Sequence, residues 1–105
     1  MAVQSMVYIL ANPYRTIYIG VTGNIERRLW EHRFGEDGGW TKKYGLERLI
    51  YFECFPDMAS AIRRETQLKK WNRAKKLRLI ESINPKWLDL SADWTKDQLP
   101  IPRRD

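Results

Sequence analysis

Tyr8, Tyr18, Arg28, His32 and Glu65 are the side chains in this sequence whose types suit phosphate chemistry. A carboxylate such as Glu65 can hold a hard divalent cation, Mg²⁺ for example, which polarises a phosphate and stabilises the leaving oxygen. One carboxylate implies one metal ion. Arginine suits charge developing on a phosphorane because its planar fork donates two parallel hydrogen bonds. A phenol or imidazole beside the metal can take a proton from attacking water when its pKa is lowered. Together these groups suit hydrolysis of a phosphodiester.

Each residue also has a plainer reading. A strand tyrosine usually packs in the core or at its rim, and Tyr14, Tyr44 and Tyr51 are read that way. A lone helical histidine is more often a buried hydrogen-bonding group than a catalyst. Glu65 would serve equally as the partner of Arg28 in an internal salt bridge. What separates the two readings is convergence of all five side chains on one wall.

The elements that must position them follow from local signals. Residues 5–11 and 16–21 are rich in β-branched and aromatic residues and flank Asn12-Pro13-Tyr14-Arg15, which reads as a hairpin. Asn24 is a suitable N-cap for a helix over residues 25–34, with Glu26 favourably placed in its first turn. Residues 35–45 form a glycine-containing loop with Trp40, Lys42 and Lys43. A third strand spans 46–55, and its nearly continuous apolar run from Leu49 suggests that both faces are covered. Pro56-Asp57 then opens a helix over 58–71, and Asn72 caps another over 73–83, which Asn84-Pro85 ends.

At about 100° per residue, Met58, Ala61, Ile62 and Leu68 form the apolar stripe of the second helix, with Glu65 in its middle. A carboxylate there is costly to desolvate unless a cation or donors meet it. The first helix turns Arg28 and His32 to the same side as Ile25 and Leu29, while Glu26, Trp30 and Arg33 point elsewhere. Tyr8 and Tyr18 share a face if they pair directly, and a slip of one residue separates them. The apolar alternation is satisfied by either register, so the two strands alone leave it open.

Composition bounds the rest. A chain of 105 residues with 43% hydrophobic and 12% aromatic residues is enough for one compact domain and excludes a second core. Lys and Arg outnumber Asp and Glu by 19 to 13, a net +6 that favours polyanionic partners such as nucleic acid. Cys54 is the only cysteine, which excludes an intrachain disulfide and a cysteine-based zinc site. With no targeting pattern and no apolar run long enough to cross a bilayer, the chain reads as cytoplasmic.

The ordered set "MVYILAN" (6–12), "YIG" (18–20), Arg28 and His32 at eight and twelve residues after Gly20, and Glu65 in the helix after the third strand resembles the GIY-YIG nuclease superfamily. Residues 64–90 are further similar to small stand-alone bacterial members described as endonucleases. The resemblance covers residues 6–90. It implies an α/β (α+β) fold in which a small three-stranded antiparallel sheet is flanked by about three helices. It implies a nuclease-like domain over 1–90 followed by a tail over 91–105, and Mg²⁺- or Mn²⁺-dependent cleavage of DNA. Position by position, it implies Tyr8 as general base, Tyr18 positioning water or phosphate, Arg28 clamping the scissile phosphate, His32 assisting proton transfer and Glu65 as the sole protein metal ligand. Asn84 matches a late asparagine that helps shape the site and is counted with the nucleic-acid-binding residues. In the first motif Met6 replaces the glycine, which a strand accommodates because no positive φ is required there.

Eight of the 19 basic residues, Arg63, Arg64, Lys69, Lys70, Arg73, Lys75, Lys76 and Arg78, fall within sixteen positions. Such a run confers solubility on any helix. Beside a phosphate-cleaving site, Arg64, Lys69, Lys70, Arg73 and Lys75 read as a backbone-binding surface, with Lys42 and Lys43 in the glycine loop on the same strand. No base-reading motif is visible, so selection by DNA structure rather than sequence is expected, in repair or recombination. The competing reading is a nucleic-acid-binding module on a nuclease fold with little turnover. A third reading, Glu65 paired with Arg28 in a structural core, requires Glu65→Ala to destabilise the fold strongly.

Overall fold

The computed structural model describes residues 5–35 and 39–92. Three strands, β1 (Ser5–Ala11), β2 (Ile17–Thr22) and β3 (Arg48–Phe55), form one antiparallel sheet in the order β2-β1-β3. Helix α1 (Ile25–Phe34) follows β2, a short α2 (Gly39–Lys43) precedes β3, and α3 (Met58–Lys70) and α4 (Arg73–Ile83) follow it. The α+β architecture expected from the sequence is thus present, with one helix more. The added helix is α2, inside the segment read as a glycine loop. Of the expected tail, residues 93–105 lie outside the described residues.

Local chemistry starts each long helix as anticipated. The side chains of Asn24, Asp57 and Asn72 accept from the backbone N–H groups of Arg27, Ser60 and Lys75, satisfying donors that have no partner within the helix.

Alternation along the strands divides the core into two layers. Val7, Ile9, Ala11 and Ile19 face α3 and α4, where Ala61, Leu68 and Ile80 meet them. Tyr8 and Leu10 face the other way, against Leu29 of α1 and Leu46. Central β1 is buried along its whole length. In β3 a bulge between the partners of Ile9 and Leu10 leaves Ile50 as the extra residue. Ile50 and Tyr51 therefore both join the α3/α4 layer, while Leu49 joins the α1 layer.

Coverage of both faces of β3 holds for Leu49, Ile50 and Tyr51 and lapses beyond them. β3 is an edge strand, and its outer edge is tied off locally. Leu90 N–H donates to Leu49 O at 2.7 Å, Asp89 Oδ1 accepts from Leu49 N–H, and Asn84 Nδ2 donates to Ile50 O at 2.9 Å. These bonds occupy groups that could otherwise pair with another chain.

The β1–β2 turn is held by Asn12, whose Oδ1 accepts from the N–H groups of Tyr14 and Thr16 and whose Nδ2 donates to Tyr44 O at 2.8 Å. Arg15 closes the turn in the left-handed region at φ 65°. Its carbonyl accepts from Arg73, and its guanidinium lies 4.7 Å from the Trp87 ring centroid.

The stripe expected on α3 is narrower than its periodicity suggested. Ala61 and Leu68 are buried, but Met58 and Ile62 remain 38% and 44% exposed.

Candidate active site

The register places Tyr8 opposite Gly20 and Tyr18 opposite Leu10, so the two tyrosines are diagonal neighbours on one face. Their ring centroids are 6.3 Å apart. A side chain at Gly20 would collide with both rings, since its Cβ would lie 2.5 Å from Tyr8 Oη and 2.9 Å from the Tyr18 ring. The glycine of "YIG" is therefore a slot through which the Tyr8 phenol passes.

α1 lies over this face and brings in His32 and Arg28, one helical turn apart. His32 Nε2 is 2.8 Å from Tyr8 Oη, and His32 Nδ1 is 2.8 Å from Thr41 Oγ1. Arg28 Nε donates to Tyr8 Oη at 3.3 Å, and its Nη1 donates to Glu31 Oε1 at 3.0 Å. The Tyr18 phenol is also within the reach of the Arg28 guanidinium. The Tyr18 and His32 rings meet edge to face at 5.5 Å. Tyr8 is fully enclosed and His32 nearly so, whereas Tyr18 and Arg28 are half-buried and reach the surface.

Burial pushes the Tyr8 phenol up to about 12 against the pull of the Arg28 N–H, and the neighbouring Tyr18 and Glu65 add to the rise. The Glu65 carboxylate thus acts electrostatically on the same phenol. Burial also holds the His32 imidazole down at about 4, and the Arg28 charge works in the same direction. At neutral pH the cluster contains a protonated phenol, a neutral imidazole and a guanidinium.

Glu65 reaches this neighbourhood from α3, which packs on the opposite layer. Its side chain is largely shielded and pairs with Lys69 Nζ at 3.1 Å. The internal Glu65–Arg28 bridge weighed from the sequence does not form. Each residue instead takes a partner on its own helix, Lys69 for Glu65 and Glu31 for Arg28. Among the described residues no three His, Cys, Asp or Glu side chains gather as metal ligands. The carboxylate of Glu65 is the group near the tyrosine pair whose chemistry would suit a hard divalent ion.

The residues expected to contact nucleic acid divide by what already holds them. Lys42 and Lys43 are exposed on α2; Lys42 reaches Gly35 O, and Lys43 lies over the Tyr44 ring. Trp40, on the same short helix, is half-exposed, with its ring 6.5 Å from Tyr18 and 4.9 Å from Tyr44. Lys69 and Lys70 are exposed at the end of α3. Lys75 is exposed with its Nζ 4.1 Å from the Trp71 ring centroid, and Arg73 donates to Arg15 O.

Two residues do not join the surface. Arg64 forks onto both carboxylate oxygens of Glu53 at 2.9 and 3.0 Å, bonds Gln67 and stacks on Trp71. Asn84 is buried; its Nδ2 donates to Ile50 O and Leu88 O, and its Oδ1 accepts from Leu88 N–H. Its polar atoms are committed to folding the chain after α4, away from the tyrosine pair.

Sequence reasoning did not single out Glu31 or Thr41. The i+3 and i+4 spacing of Glu31 from Arg28 and Arg27 was a readable signal. Thr41 gave none, because its contact with His32 depends on how the segment between α1 and β3 folds.

A family model described as the GIY-YIG catalytic domain matches residues 4–78. The chain belongs to the GIY-YIG family. Among its relatives, a UPF0213 protein of Syntrophus aciditrophicus is 41% identical over 83 residues, covering 78% of this chain and 94% of the relative. Another UPF0213 protein, from Natronomonas pharaonis, is 39% identical over 80 residues, covering 76% and 94%. The solution NMR structure of a UPF0213 protein from Bacillus halodurans superposes with a TM-score of 0.54 at 28% identity, covering 88% of this chain and 99% of that one. Membership in the GIY-YIG family places the chain in a nuclease superfamily, with nucleic acid as the general substrate class. Among the described residues no helix is long and apolar enough to cross a membrane.

Proposed function

We propose that this GIY-YIG protein is a cytoplasmic, metal-dependent endonuclease that hydrolyses phosphodiester bonds in DNA, choosing its substrate by structure rather than sequence, in repair or recombination. The observation that carries the reading is the cluster in which Tyr8 Oη meets both His32 Nε2 and Arg28 Nε beside the Gly20 slot.

The half-buried Arg28 presents its guanidinium to the scissile phosphate, and Tyr18 orients the phosphate or the attacking water. Glu65 would hold a divalent cation such as Mg²⁺ or Mn²⁺, which when bound would polarise the phosphate and stabilise the leaving oxygen. Tyr8 acts as general base through exchange. As the water oxygen bonds to phosphorus, the bond from phosphorus to the leaving oxygen breaks with its electron pair on that oxygen, the water proton passes to Tyr8 Oη and the Tyr8 proton passes to His32 Nε2. Neutral His32 can receive it, and a phosphate on Arg28 offsets the positive charge that otherwise resists an imidazolium. Lys42, Lys43, Lys69 and Lys70 bind the DNA backbone, with Arg73 and Lys75 on the flank. Half-exposed Trp40 lies where a base can stack beside the reacting phosphate.

The test is cleavage of supercoiled plasmid and of branched, flapped and single-stranded oligonucleotides with Mg²⁺ or Mn²⁺, with folded Glu65→Ala as control. Metal-dependent cutting that disappears in the control is the expected result. Binding across the panel without cutting overturns it in favour of a nucleic-acid-binding module on a nuclease fold.

A further inference from the structure

Thr41 is a nearly inaccessible side chain on a short helix whose neighbours Trp40, Lys42 and Lys43 are all exposed. Its hydroxyl lies 2.8 Å from His32 Nδ1, on the side of the ring opposite Tyr8. We propose that Thr41 is a positioning residue that accepts the Nδ1–H of His32 and so leaves the Nε2 lone pair facing the Tyr8 hydroxyl. The inference rests on the endonuclease reading for its consequence in the reaction, but its hydrogen-bond arrangement is testable without it.

The direction of each bond follows from donor counting. The buried Tyr8 hydroxyl needs an acceptor for its hydrogen. Of the two groups bonded to its oxygen, the Arg28 guanidinium can only donate. His32 Nε2 must then accept. A neutral imidazole with a lone pair on Nε2 carries its hydrogen on Nδ1, and the atom facing Nδ1 is Thr41 Oγ1. The opposite tautomer would aim an Nε2–H at an oxygen already receiving Arg28 and would leave the Tyr8 proton nowhere to go.

The backbone that carries the hydroxyl is held in place from two sides. Leu46 N–H donates to Thr41 O at 2.8 Å, which folds the chain back after α2, and Gly45 makes that turn in the left-handed region at φ 65°. Asn12 Nδ2 holds the Tyr44 carbonyl at 2.8 Å. The β1–β2 turn therefore sets the position of α2, and α2 sets the position of the Thr41 hydroxyl.

A purely packing role and a positioning role make different predictions for Thr41→Val, which preserves shape and removes the hydroxyl, and Thr41→Ser, which preserves the hydroxyl. The first measurement is the imidazole ¹⁵N spectrum of the full-length, metal-free protein, in which His32 is the only histidine. Wild type and Thr41→Ser are expected to show the Nδ1–H tautomer, and Thr41→Val a mixture. The second is steady-state cleavage. Thr41→Val is expected to lower kcat about 10–100-fold with KM within about twofold, and Thr41→Ser to recover most of the rate. An Nε2–H tautomer in wild type overturns the proposal even if Thr41→Val fails to fold. So does a Thr41→Val protein with the wild-type spectrum and kcat. If wild type cuts nothing, the endonuclease reading falls while the spectrum still decides the role of Thr41.

Discussion

Gly20 stands directly across the β1–β2 ladder from Tyr8, and the Tyr8 phenol fills the space that any side chain at Gly20 would occupy. The constraint is steric and comes from a tyrosine that cannot swing away, since His32 and Arg28 hold its hydroxyl.

Gly20→Ala is therefore expected to destabilise the protein by about 1–3 kcal/mol through overpacking, read by urea denaturation. It is also expected to abolish cleavage under conditions in which the protein remains folded. A variant of wild-type stability and activity would mean that the phenol does not occupy the slot.

His32 gives a pH signature. Its folded pKa, about 4, lies below the ordinary 6.5, so the unfolded chain binds the proton more readily. The stabilisation is fully present above about pH 6.5 and is lost as pH falls toward 4. Between about pH 6.5 and 5, the wild type should lose about 1–2 kcal/mol of stability. His32→Asn should remove that slope, because no other histidine contributes. Denaturation curves at several pH values in this window test it.

Glu65 separates stability from function. Its partner is Lys69 on the same helix, an exposed lysine four residues away, and such pairs contribute about 0.3–0.5 kcal/mol. Glu65→Ala should cost less than about 1 kcal/mol, whereas breaking a buried bridge to Arg28 would cost about 3–5 kcal/mol. Thermal melts with and without Mn²⁺ check both the small cost and the loss of metal-induced stabilisation.

Asn84 should behave in the opposite way. Asn84→Ala leaves Ile50 O, Leu88 O and Leu88 N–H without their side-chain partner and is expected to destabilise by about 2–3 kcal/mol. Nucleic-acid affinity measured on the folded fraction should stay unchanged.

The basic residues divide similarly. The double variant Lys42→Ala/Lys43→Ala should weaken DNA binding and make the slope of log K against log salt shallower by about 0.9 for each phosphate no longer neutralised, with little change in stability. Arg64→Ala should instead unfold the protein more easily, because Glu53 would lose its forked partner. Binding titrations at several salt concentrations, paired with denaturation, distinguish the two classes.

Local chemistry explains which features were legible in the sequence. Asn24, Asp57 and Asn72 cap helices through bonds to residues three positions away, and strand alternation assigns Val7 and Tyr8 to opposite faces. The hairpin register was not legible. It depends on the left-handed Arg15, the Asn12 bracket and the Gly20 slot, while the apolar pattern tolerates more than one pairing. The bulge at Ile50 and the helix around Thr41 were hidden for the same reason, since distant partners fix them. Arg64 looked like a surface cation because Glu53 lies on another element, and Asn84 gave no local sign of its bond to Ile50. Motif spacing located Tyr8, Tyr18, Arg28 and His32 as one cluster, but their hydrogen-bond order, and the place of Thr41 in it, required the folded chain.

The two-layer core has a consequence for when such a site exists. α1 delivers Arg28 and His32 from one side of the sheet, and α3 delivers Glu65 from the other. A nascent chain that has emerged only through β2 and α1 has both phenols, the imidazole and the guanidinium, but its carboxylates are those of α1, where Glu31 pairs with Arg28, and Glu65 is still to come. Only after β3 has inserted beside β1 and α3 has closed the far layer are all the groups assembled. On the proposed endonuclease reading, completion of the fold would then be the arming step, and a partly made or partly melted molecule would lack the full set of groups.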